Sequence, residues 1–311
     1  MRQPAGMMSG VLAPVVTPFR ADLAPDAGRL VAHCRWLVGQ GCGLALFGTN
    51  SEANSQSVDE RMGLLEAVVE AGLPTAMMMP GTGCAALPDT VRLTAHAVGL
   101  GCAGVLMLPP FYYKGVSDDG LFAYFSEVIQ RVGDRRLKVY LYHIPPVAQV
   151  GISLSLIERL LQAYPGTVVG IKDSSGDWSN TQAMLEQFPQ FDVFVGSEAF
   201  LLANMRAGGV GCISATANVN PAAIVRLFQN WQAADADQAQ AALTETRQVI
   251  QSMPMIPALK ATIAQFAHDD AWLTVRPPLV ALSPAQRQSL KEQLAQVGFA
   301  MPGLMAEPAQ A

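Results

Sequence analysis

The chain has 311 residues and a formal net charge of -5, with 50% hydrophobic and only 14% charged residues. The acidic balance argues against a nucleic-acid partner or an anionic membrane surface. The high apolar content is typical of a globular protein whose strands are buried on both faces. This length allows either two domains or one α/β barrel of about 250 residues.

Two long uncharged stretches, residues 71–88 and 96–113, require a test for membrane spans. Proline and glycine interrupt both stretches, so neither supplies the roughly 20 apolar helical residues that a span needs. The N-terminus has no apolar region of the signal-peptide type. We therefore expect no membrane association and a cytoplasmic location.

The cysteines and histidines offer no metal site. The five cysteines are odd in number and lack C-x-x-C spacing, which indicates reduced thiols. His33, His96 and His268 have no partner at metal-ligand spacing. A G-x-G-x-x-A run at residues 81–86 lacks the acidic residue about 20 positions on that a dinucleotide site needs, so we interpret it as a tight turn.

Short apolar strands alternate with amphipathic helices from residue 11 to residue 231. The predicted strands are residues 11–19, 43–47, 75–79, 103–108, 138–142, 167–172, 191–196 and 210–214. The predicted helices are residues 26–39, 58–71, 87–98, 121–132, 154–163, 178–187, 198–207 and 222–231. Eight such pairs predict an α/β fold of the (β/α)8 TIM barrel type, which we assign to residues 1–232.

The remainder of the chain has a different character. Residues 233–300 have helical periodicity with proline stops and predict an appended C-terminal helical bundle. Residues 301–311 have no periodicity and predict a flexible tail.

One lysine suggests covalent chemistry. Residues 167–172 form an apolar run that predicts a buried strand with Lys172 at its carboxyl end, where α/β barrels carry their catalytic groups. Burial disfavours a charged ammonium, and a neutral amine attacks a ketone to form a Schiff base. Gly170 shares a face with Lys172 and would leave space for the lysine stem or a substrate. Alternatively, Lys172 extends to solvent or pairs with Asp173, and this segment alone does not decide between these interpretations.

A Schiff-base lysine needs a proton-transfer partner, and Tyr142 ends the preceding predicted strand. A free phenol titrates at roughly pH 10, so it would need a relay hydroxyl, for which Thr49 and Tyr113 are candidates. Tyr142 could instead be an ordinary aromatic residue at the barrel rim. Tyr113 lies in a proline-flanked loop, where a subunit contact is an equal alternative.

Backbone amides of a helix-opening loop hold carboxylates well, and the loop at residues 48–55 offers Thr49 and Asn50 for a pyruvate-like substrate. For Ser51, Asn54 and Ser55, an equal alternative is that the loop merely turns the chain and caps a helix. No strand-end loop offers an arginine for a bidentate clamp. Ser214 is a further polar residue at a predicted strand end.

Six motifs carry a family resemblance. They are TPF at 17–19, GTNSE at 48–52, PFYYKGVSDDGL at 110–121, YHIPP at 142–146, GIKDSSGD at 170–177 and ISATANVNP at 213–221. With them, most of the chain resembles the dihydrodipicolinate synthase and N-acetylneuraminate lyase family of class I, Schiff-base aldolases.

The resemblance implies a (β/α)8 barrel with a helical C-terminal domain, usually assembled as a homotetramer that is a dimer of dimers. We therefore expect a homo-oligomer, either a dimer or a tetramer. It also implies a role for each matching residue. Lys172 resembles the Schiff-base lysine, Tyr142 the proton-transferring tyrosine, Thr49 the relay hydroxyl, Tyr113 a relay tyrosine lent across a subunit interface, and Ile213 the residue whose main chain faces the bound pyruvate moiety.

Departures from the family pattern concern the aldehyde side of the substrate. Val147 stands where the synthase of lysine biosynthesis has an arginine that binds the aldehyde substrate's carboxylate. His143 replaces the usual asparagine, and Asn50 and Ser51 replace a threonine and a glycine. These changes suggest a different aldehyde-side group, such as a hydroxylated sugar acid or an aromatic one. Thr49, Asn50, His143, Ile213 and Ser214 are the substrate-binding candidates.

The sequence therefore predicts a class I lyase that forms a lysine Schiff base with a 2-oxo acid of the pyruvate type. Its reaction is aldol cleavage or condensation, or the dehydration of a 2-oxo acid. The 2-oxo acid could be sugar-derived. Its partners are a small 2-oxo acid and an aldehyde, and it needs neither a metal nor a cofactor because the imine is covalent. The alternatives are 4-hydroxy-tetrahydrodipicolinate synthase and a non-catalytic barrel that binds a 2-oxo acid.

Overall fold

A computed structural model describes residues 8–304 of the chain. Within this range the strands are β1 Gly10–Ala13, β2 Gly43–Leu44, β3 Val105–Met107, β4 Val139–His143, β5 Val168–Asp173, β6 Asp192–Val195 and β7 Gly211–Ile213. The helices are α1 Ala27–Gly39, α2 Val58–Glu70, α3 Leu87–Gly99, α4 Asp118–Val132, α5 Pro145–Ala148, α6 Leu154–Ala163, α7 Trp178–Gln187, α8 Leu201–Arg206, α9 Pro221–Gln229, α10 Ala236–Gln251, α11 Met255–Ala267 and α12 Pro284–Gln296.

The chain divides into two compact units. The first contains residues 8–10 and 74–213, and the second contains residues 11–73 and 214–304.

The first unit is built on strands β3 to β7, which pair in parallel in chain order. Tyr142 lies opposite Lys172, and Lys172 lies opposite Phe194. Every residue of these strands is buried. Parallel strands need crossover connections, and helices supply them. Because helices cover the sheet, the side chains on both faces of a strand are buried, and the strand sequences are nearly continuous apolar runs.

The predicted strand at residues 75–79 is wrong at its first three residues. Thr75–Met77 forms a 3-10 turn that follows Pro74, whose ring fixes the backbone at φ -71°. The turn is held from outside, because Ala103 N donates to the carbonyl oxygens of both Thr75 and Met78 at 3.1 Å. A regular strand could not offer both carbonyls to one donor.

The chain becomes extended at Met78 and pairs with its neighbour strand once, through a parallel bridge between Gly81 and Leu106. The eight predicted strands thus correspond to seven strands and one single-bridge segment within residues 8–304. Gly83 follows this segment, and a Cβ atom there would lie 2.5 Å from the backbone nitrogen of Leu108. This close approach explains why glycine occupies the turn.

The second unit contains the parallel pair β1 and β2, with Leu12 opposite Gly43. Strand β1 ends at Ala13, well before the predicted end at residue 19, because Pro14 follows and has no N–H for the ladder. Helices α10, α11 and α12 belong to this unit together with α1 and α2. The apolar core of the unit includes Val16, Ile250, Leu259, Trp272 and Leu290.

The predicted tail begins within the packed part of the second unit. Met301 is buried in the apolar core, and Trp36 Nε1 donates to the carbonyl oxygen of Pro302 at 3.1 Å. Residues 305–311 of the predicted tail lie outside the described residues. Among the helices of residues 8–304, none has the length and apolar character needed to cross a membrane.

His33 is a buried histidine in the core of the second unit. It lies on α1, with its ring 5.7 Å from that of Trp36 and 5.3 Å from that of Trp272. Burial lowers the pKa of His33 to about 4, and the side chain of Asn218 opposes this shift only in part. His33 is therefore neutral at pH 7.

Acid should destabilise the protein through His33. The unfolded chain binds a proton below about pH 6.5, whereas folded His33 binds it only near pH 4, so stability is present above this window and is lost as the pH falls through it. The expected loss is about 3 kcal/mol. The variant His33→Phe keeps an aromatic ring but cannot bind a proton. Its free energy of unfolding, measured by urea unfolding at each pH, should therefore depend less on pH than that of the wild type.

The exposed His268 provides the matched control, because His268→Asn changes a histidine outside the core at a left-handed position that asparagine tolerates. This control should retain the wild-type profile. A profile that stays unchanged in His33→Phe would contradict the assignment of acid sensitivity to His33.

Candidate active site

Lys172 and Tyr142 face each other across two neighbouring strands of the first unit. Their positions on β5 and β4 are opposite in register, and both side chains are buried, with 2% of Lys172 exposed. Lys172 Nζ donates a long hydrogen bond of 3.4 Å to Tyr142 Oη and lies 4.4 Å from the centre of the tyrosine ring. One small molecule can therefore contact both the amine and the phenol. The alternative of a lysine that extends to solvent is wrong.

The space behind Lys172 is filled by an aromatic ring. Tyr140 lies opposite Gly170, and a Cβ atom at Gly170 would come within 2.5 Å of Tyr140 Cδ1. The prediction that Gly170 leaves room for the lysine stem or a substrate is therefore wrong. Tyr140 is fixed in turn, because its Oη donates to Asp192 Oδ2 at 3.2 Å and accepts from Met8 N at 3.0 Å.

The residues next to this pair point to the opposite face of the strands, as period-two alternation requires. Asp173 Oδ2 accepts hydrogen bonds from Thr181 Oγ1 at 2.6 Å and Asn180 Nδ2 at 3.1 Å, and its Oδ1 accepts from Ser175 N at 2.9 Å. These donors belong to α7 and the turn before it. The proposed alternative in which Lys172 pairs with Asp173 is therefore not what the structure shows.

His143 lies opposite Asp173 and also faces away from Lys172. Its Nδ1 accepts from Ile152 N at 2.9 Å, so the neutral ring carries its proton on Nε2. Burial lowers the pKa of His143, while the charge of Asp173 raises it in part. The structure thus brings His143 together with the segment before α6, and not with the lysine and the tyrosine.

Tyr113 lies in an exposed loop of the first unit. Its side chain is 72% exposed, and its ring makes an edge contact with that of Tyr112 at 5.3 Å. Lys114 Nζ donates to the carbonyl oxygens of Phe111 and Ala148, so the loop is tied to the end of α5. Helix α5 also carries Val147, which is 60% exposed. Within this chain, both residues are open to other molecules.

In the second unit, Thr49 and Asn50 open a 3-10 turn, Thr49–Ser51, and are partly buried. Side chains hold this turn: Thr17 Oγ1 donates to the carbonyl oxygen of Ser51 at 2.8 Å, and Gly48 N donates to Ser51 Oγ at 3.2 Å. The serine that replaces the family's glycine therefore has a structural role in the loop.

Ile213 is the last residue of β7 and is fully buried. Ser214 follows it in the chain and belongs to the second unit. Within that unit, Ser214 N donates to Leu12 O at 3.2 Å, and Ser214 Oγ accepts from Arg247 Nη1 at 3.1 Å. Arg247 belongs to α10, and no pattern in the strand-end loops of the sequence indicates it. Only the tertiary structure brings this helical residue to a strand end.

The sequence reasoning also missed a second buried lysine, Lys260. It lies on α11, is fully buried, and forms an ion pair with Glu52. Burial lowers the pKa of Lys260 to about 8, although the charge of Glu52 raises it. A single lysine within the apolar run MIPALKATIAQFA was the available signal. In contrast to Lys172, this amine already has a carboxylate partner.

Within residues 8–304, no group of three or more histidine, cysteine or acidic side chains could hold a metal ion. No disulfide joins the five cysteines, all of which lie within residues 8–304. Burial raises the pKa of Cys42 and of Cys102 to about 12, so neither is a thiolate at neutral pH.

Together, these features define a parallel α/β protein with a buried amine beside a phenol on its neighbouring strand. The model of the dihydrodipicolinate synthetase family matches residues 7–297, and the chain belongs to this family.

Two relatives span nearly the whole chain. A DapA-like lyase of Chloroflexus aurantiacus is 35% identical over 295 residues, which cover 94% of this chain and 96% of the relative. A 4-hydroxy-tetrahydrodipicolinate synthase of Rhizobium meliloti is 31% identical over 303 residues, which cover 94% and 99%.

Solved structures share the fold. Dihydrodipicolinate synthase of Agrobacterium tumefaciens superposes with a TM-score of 0.86 at 32% identity, covering 93% of this chain and 99% of that one. A prophage protein of the same family from E. coli K12, solved in complex with pyruvate, superposes with a TM-score of 0.87 at 26% identity, covering 94% and 100%.

The packing of Tyr140 against Gly170 yields a stability prediction. The variant Gly170→Ala should lower the free energy of unfolding by about 1–3 kcal/mol, because the added methyl group overlaps the ring. The control Gly63→Ala lies within α2, where nothing approaches the added carbon within 4 Å, and should raise this free energy by about 0.5–1 kcal/mol. Equilibrium urea unfolding measures both. Equal effects of the two substitutions would contradict the packing argument.

Proposed function

We propose that the protein is a class I lyase in which Lys172 forms a Schiff base with a 2-oxo acid of the pyruvate type. The observation that carries this proposal is the buried amine of Lys172 at 3.4 Å from Tyr142 Oη. Membership of a family that contains lyases supports it, as does the relative from E. coli that was solved with pyruvate. The reaction is aldol cleavage or condensation, or dehydration of a 2-oxo acid.

The chemistry follows from the amine and the phenol. The neutral amine attacks the ketone carbon, the resulting carbinolamine loses water, and the protonated imine withdraws electrons from the adjacent carbon. In aldol cleavage, the bond from that carbon to the next one breaks, the neighbouring hydroxyl loses its proton as the aldehyde leaves, and the remaining enamine is protonated and hydrolysed to release the 2-oxo acid. In dehydration, that carbon loses a proton, the enamine expels the neighbouring hydroxyl as water, and the imine is hydrolysed. Tyr142 Oη is the group that takes and returns protons in these steps, because it is the hydroxyl at hydrogen-bond distance from Lys172 Nζ.

We further propose relay roles for Thr49 and Tyr113, which the family resemblance assigns to them. The half-buried position of Thr49 on a turn fixed by side chains supports a relay role. The 72% exposure of Tyr113 supports its use by a second copy of the chain, and hence a dimer or tetramer. Asn50, Ile213 and Ser214 are proposed to contact the substrate.

The architecture proposed for this function is a closed (β/α)8 barrel of residues 1–232 followed by a helical bundle of residues 233–300. Superposition on the Agrobacterium tumefaciens structure over nearly its whole length supports this architecture. The absence of a cofactor and the cytoplasmic location stay predictions. The covalent imine makes a separate electron sink unnecessary for the proposed chemistry.

The substrate is proposed to differ from that of the lysine-biosynthesis synthase. Val147 supports this view, since an exposed valine offers no charge to a second carboxylate. The second candidate function is 4-hydroxy-tetrahydrodipicolinate synthase, which is favoured by the name of the Rhizobium meliloti relative. A barrel that binds a 2-oxo acid without turnover is the third, but binding alone does not require a buried amine beside a phenol.

Borohydride trapping tests the Schiff base. Reduction in the presence of pyruvate should add the pyruvate-derived mass to the peptide that contains Lys172, and the variant Lys172→Ala should abolish the addition. Peptide mapping must separate Lys172 from Lys260, the other buried lysine. Label on Lys260, or label that persists in Lys172→Ala, would contradict the proposal.

Supplying pyruvate with aspartate semialdehyde tests the synthase candidate. We expect little condensation by the wild type, and an increase of roughly tenfold or more in Val147→Arg, because a guanidinium adds a charge-assisted bond to the semialdehyde carboxylate. The exposed position of Val147 allows the longer side chain without repacking. The control Val147→Gln adds a shorter polar side chain that can donate a hydrogen bond but carries no charge. Wild-type turnover near that of a dedicated synthase would overrule the inference from Val147.

A further inference from the structure

An ionic cluster that contains a fully buried ion pair lies beneath the loop that carries Thr49. The cluster consists of Glu52, Lys260 and Arg276, all in the second unit. The ion pair between Lys260 and Glu52 has both side chains at 0% exposure. Lys260 Nζ also donates to the carbonyl oxygen of Thr274 at 2.8 Å. The ammonium thus has two partners, which is why it does not serve as a free amine.

Glu52 belongs to the loop itself and immediately follows the Thr49–Ser51 turn. Its φ of 55° lies in the left-handed region, which is unfavourable for a residue with a long side chain. One carboxylate oxygen contacts Lys260, and the other accepts from Arg276 N at 2.9 Å. Residues far along the chain therefore hold a loop residue in an unfavourable conformation.

Arg276 fixes the loop at a second point. Its Nη1 donates to the carbonyl oxygen of Ser55 at 2.7 Å and to Glu60 Oε2 at 2.9 Å. Phe19 completes the site, with its ring centre 4.5 Å from Lys260 Nζ and 4.6 Å from Arg276 Cζ. The loop between Glu52 and Ser55 is thus held at both ends by the cluster.

We propose that Lys260 and Arg276 are positioning residues for the reaction, which fix the turn that carries Thr49 and Asn50. Lys260 acts through Glu52, and Arg276 acts through its backbone nitrogen on Glu52 and its side chain on Ser55. This inference rests on the proposed function. The mechanical link is short, because Glu52 N donates to Thr49 O at 3.1 Å. Without the ammonium, Glu52 would be a buried carboxylate that has lost its charged partner, and its escape towards water would rotate the turn. A shift of about 1 Å in a catalytic group is enough to slow a reaction a hundredfold.

Pyruvate in heavy water separates positioning from Schiff-base formation. The imine of pyruvate loses a methyl proton to form an enamine, and the return of a deuteron from solvent labels the methyl group. Borohydride trapping on Lys172 measures the imine, and the rate of methyl deuteration measures proton transfer. The variants Lys260→Met and Glu52→Gln should keep the trapped imine at saturating pyruvate and slow deuteration about tenfold to a hundredfold. Thr49→Val should show the same pattern.

Lys260→Arg keeps the positive charge and should restore most of the deuteration rate. The matched control is Arg29→Gln, which breaks an ion pair of 2.6 Å between α1 and Asp269 without touching the loop. This control should lower stability to urea and leave the deuteration rate unchanged. A purely structural role for the cluster would give Lys260→Met the same behaviour as Arg29→Gln.

Wild-type deuteration rates in both Lys260→Met and Glu52→Gln would overturn the inference. If Lys260→Met does not fold, Glu52→Gln decides alone, since it keeps the side-chain shape while it removes the charge and one of the two acceptor oxygens. A wild-type protein that forms no imine at Lys172 would overturn the proposed function instead, so the two failures are distinguishable.

Discussion

The parallel register of β4 with β5 fixes the distance between the two groups on which the proposed chemistry depends. Tyr142 and Lys172 occupy opposite positions in this register, and the strands are buried, so neither group can move far without breaking a backbone ladder. A slip of one residue would place Lys172 opposite Leu141 or His143 instead of Tyr142, so the amine and the phenol would no longer share a face. Precision at the site therefore comes from backbone hydrogen bonds more than from the side chains themselves.

The two buried lysines, Lys172 and Lys260, have different surroundings, which suit them to different roles. Lys260 lies against a carboxylate, a carbonyl oxygen and an aromatic ring, so its ammonium is stabilised where it lies. Lys172 faces a phenol, which gives weaker support to a charge and can exchange protons with an amine. One lysine is thus suited to hold a loop in place and the other to react. A search for buried lysines in the sequence alone would not separate them.

Much of the fold and the central pair could be predicted from the sequence because local periodicity encodes them. The apolar run before Lys172 marks a buried strand, and a tyrosine at the end of the preceding strand must lie near it in a parallel sheet. The 3-10 turn at Thr75–Met77 escaped prediction because it depends on a donor, Ala103, that comes 26 to 28 residues later. The orientation of His143 and the filling of the space beside Gly170 likewise depend on neighbours that periodicity does not encode.

The exposure of Val147 has a consequence for how such proteins diversify. An exposed residue on the short helix α5 makes little contribution to folding, so most replacements there cost little stability. The lysine and tyrosine, in contrast, lie in a core where replacements are costly. Under the proposed function, substitutions at Val147 can therefore change substrate preference at little cost in stability, while selection preserves Lys172 and Tyr142. A relative with a new substrate can arise through intermediates that all remain folded.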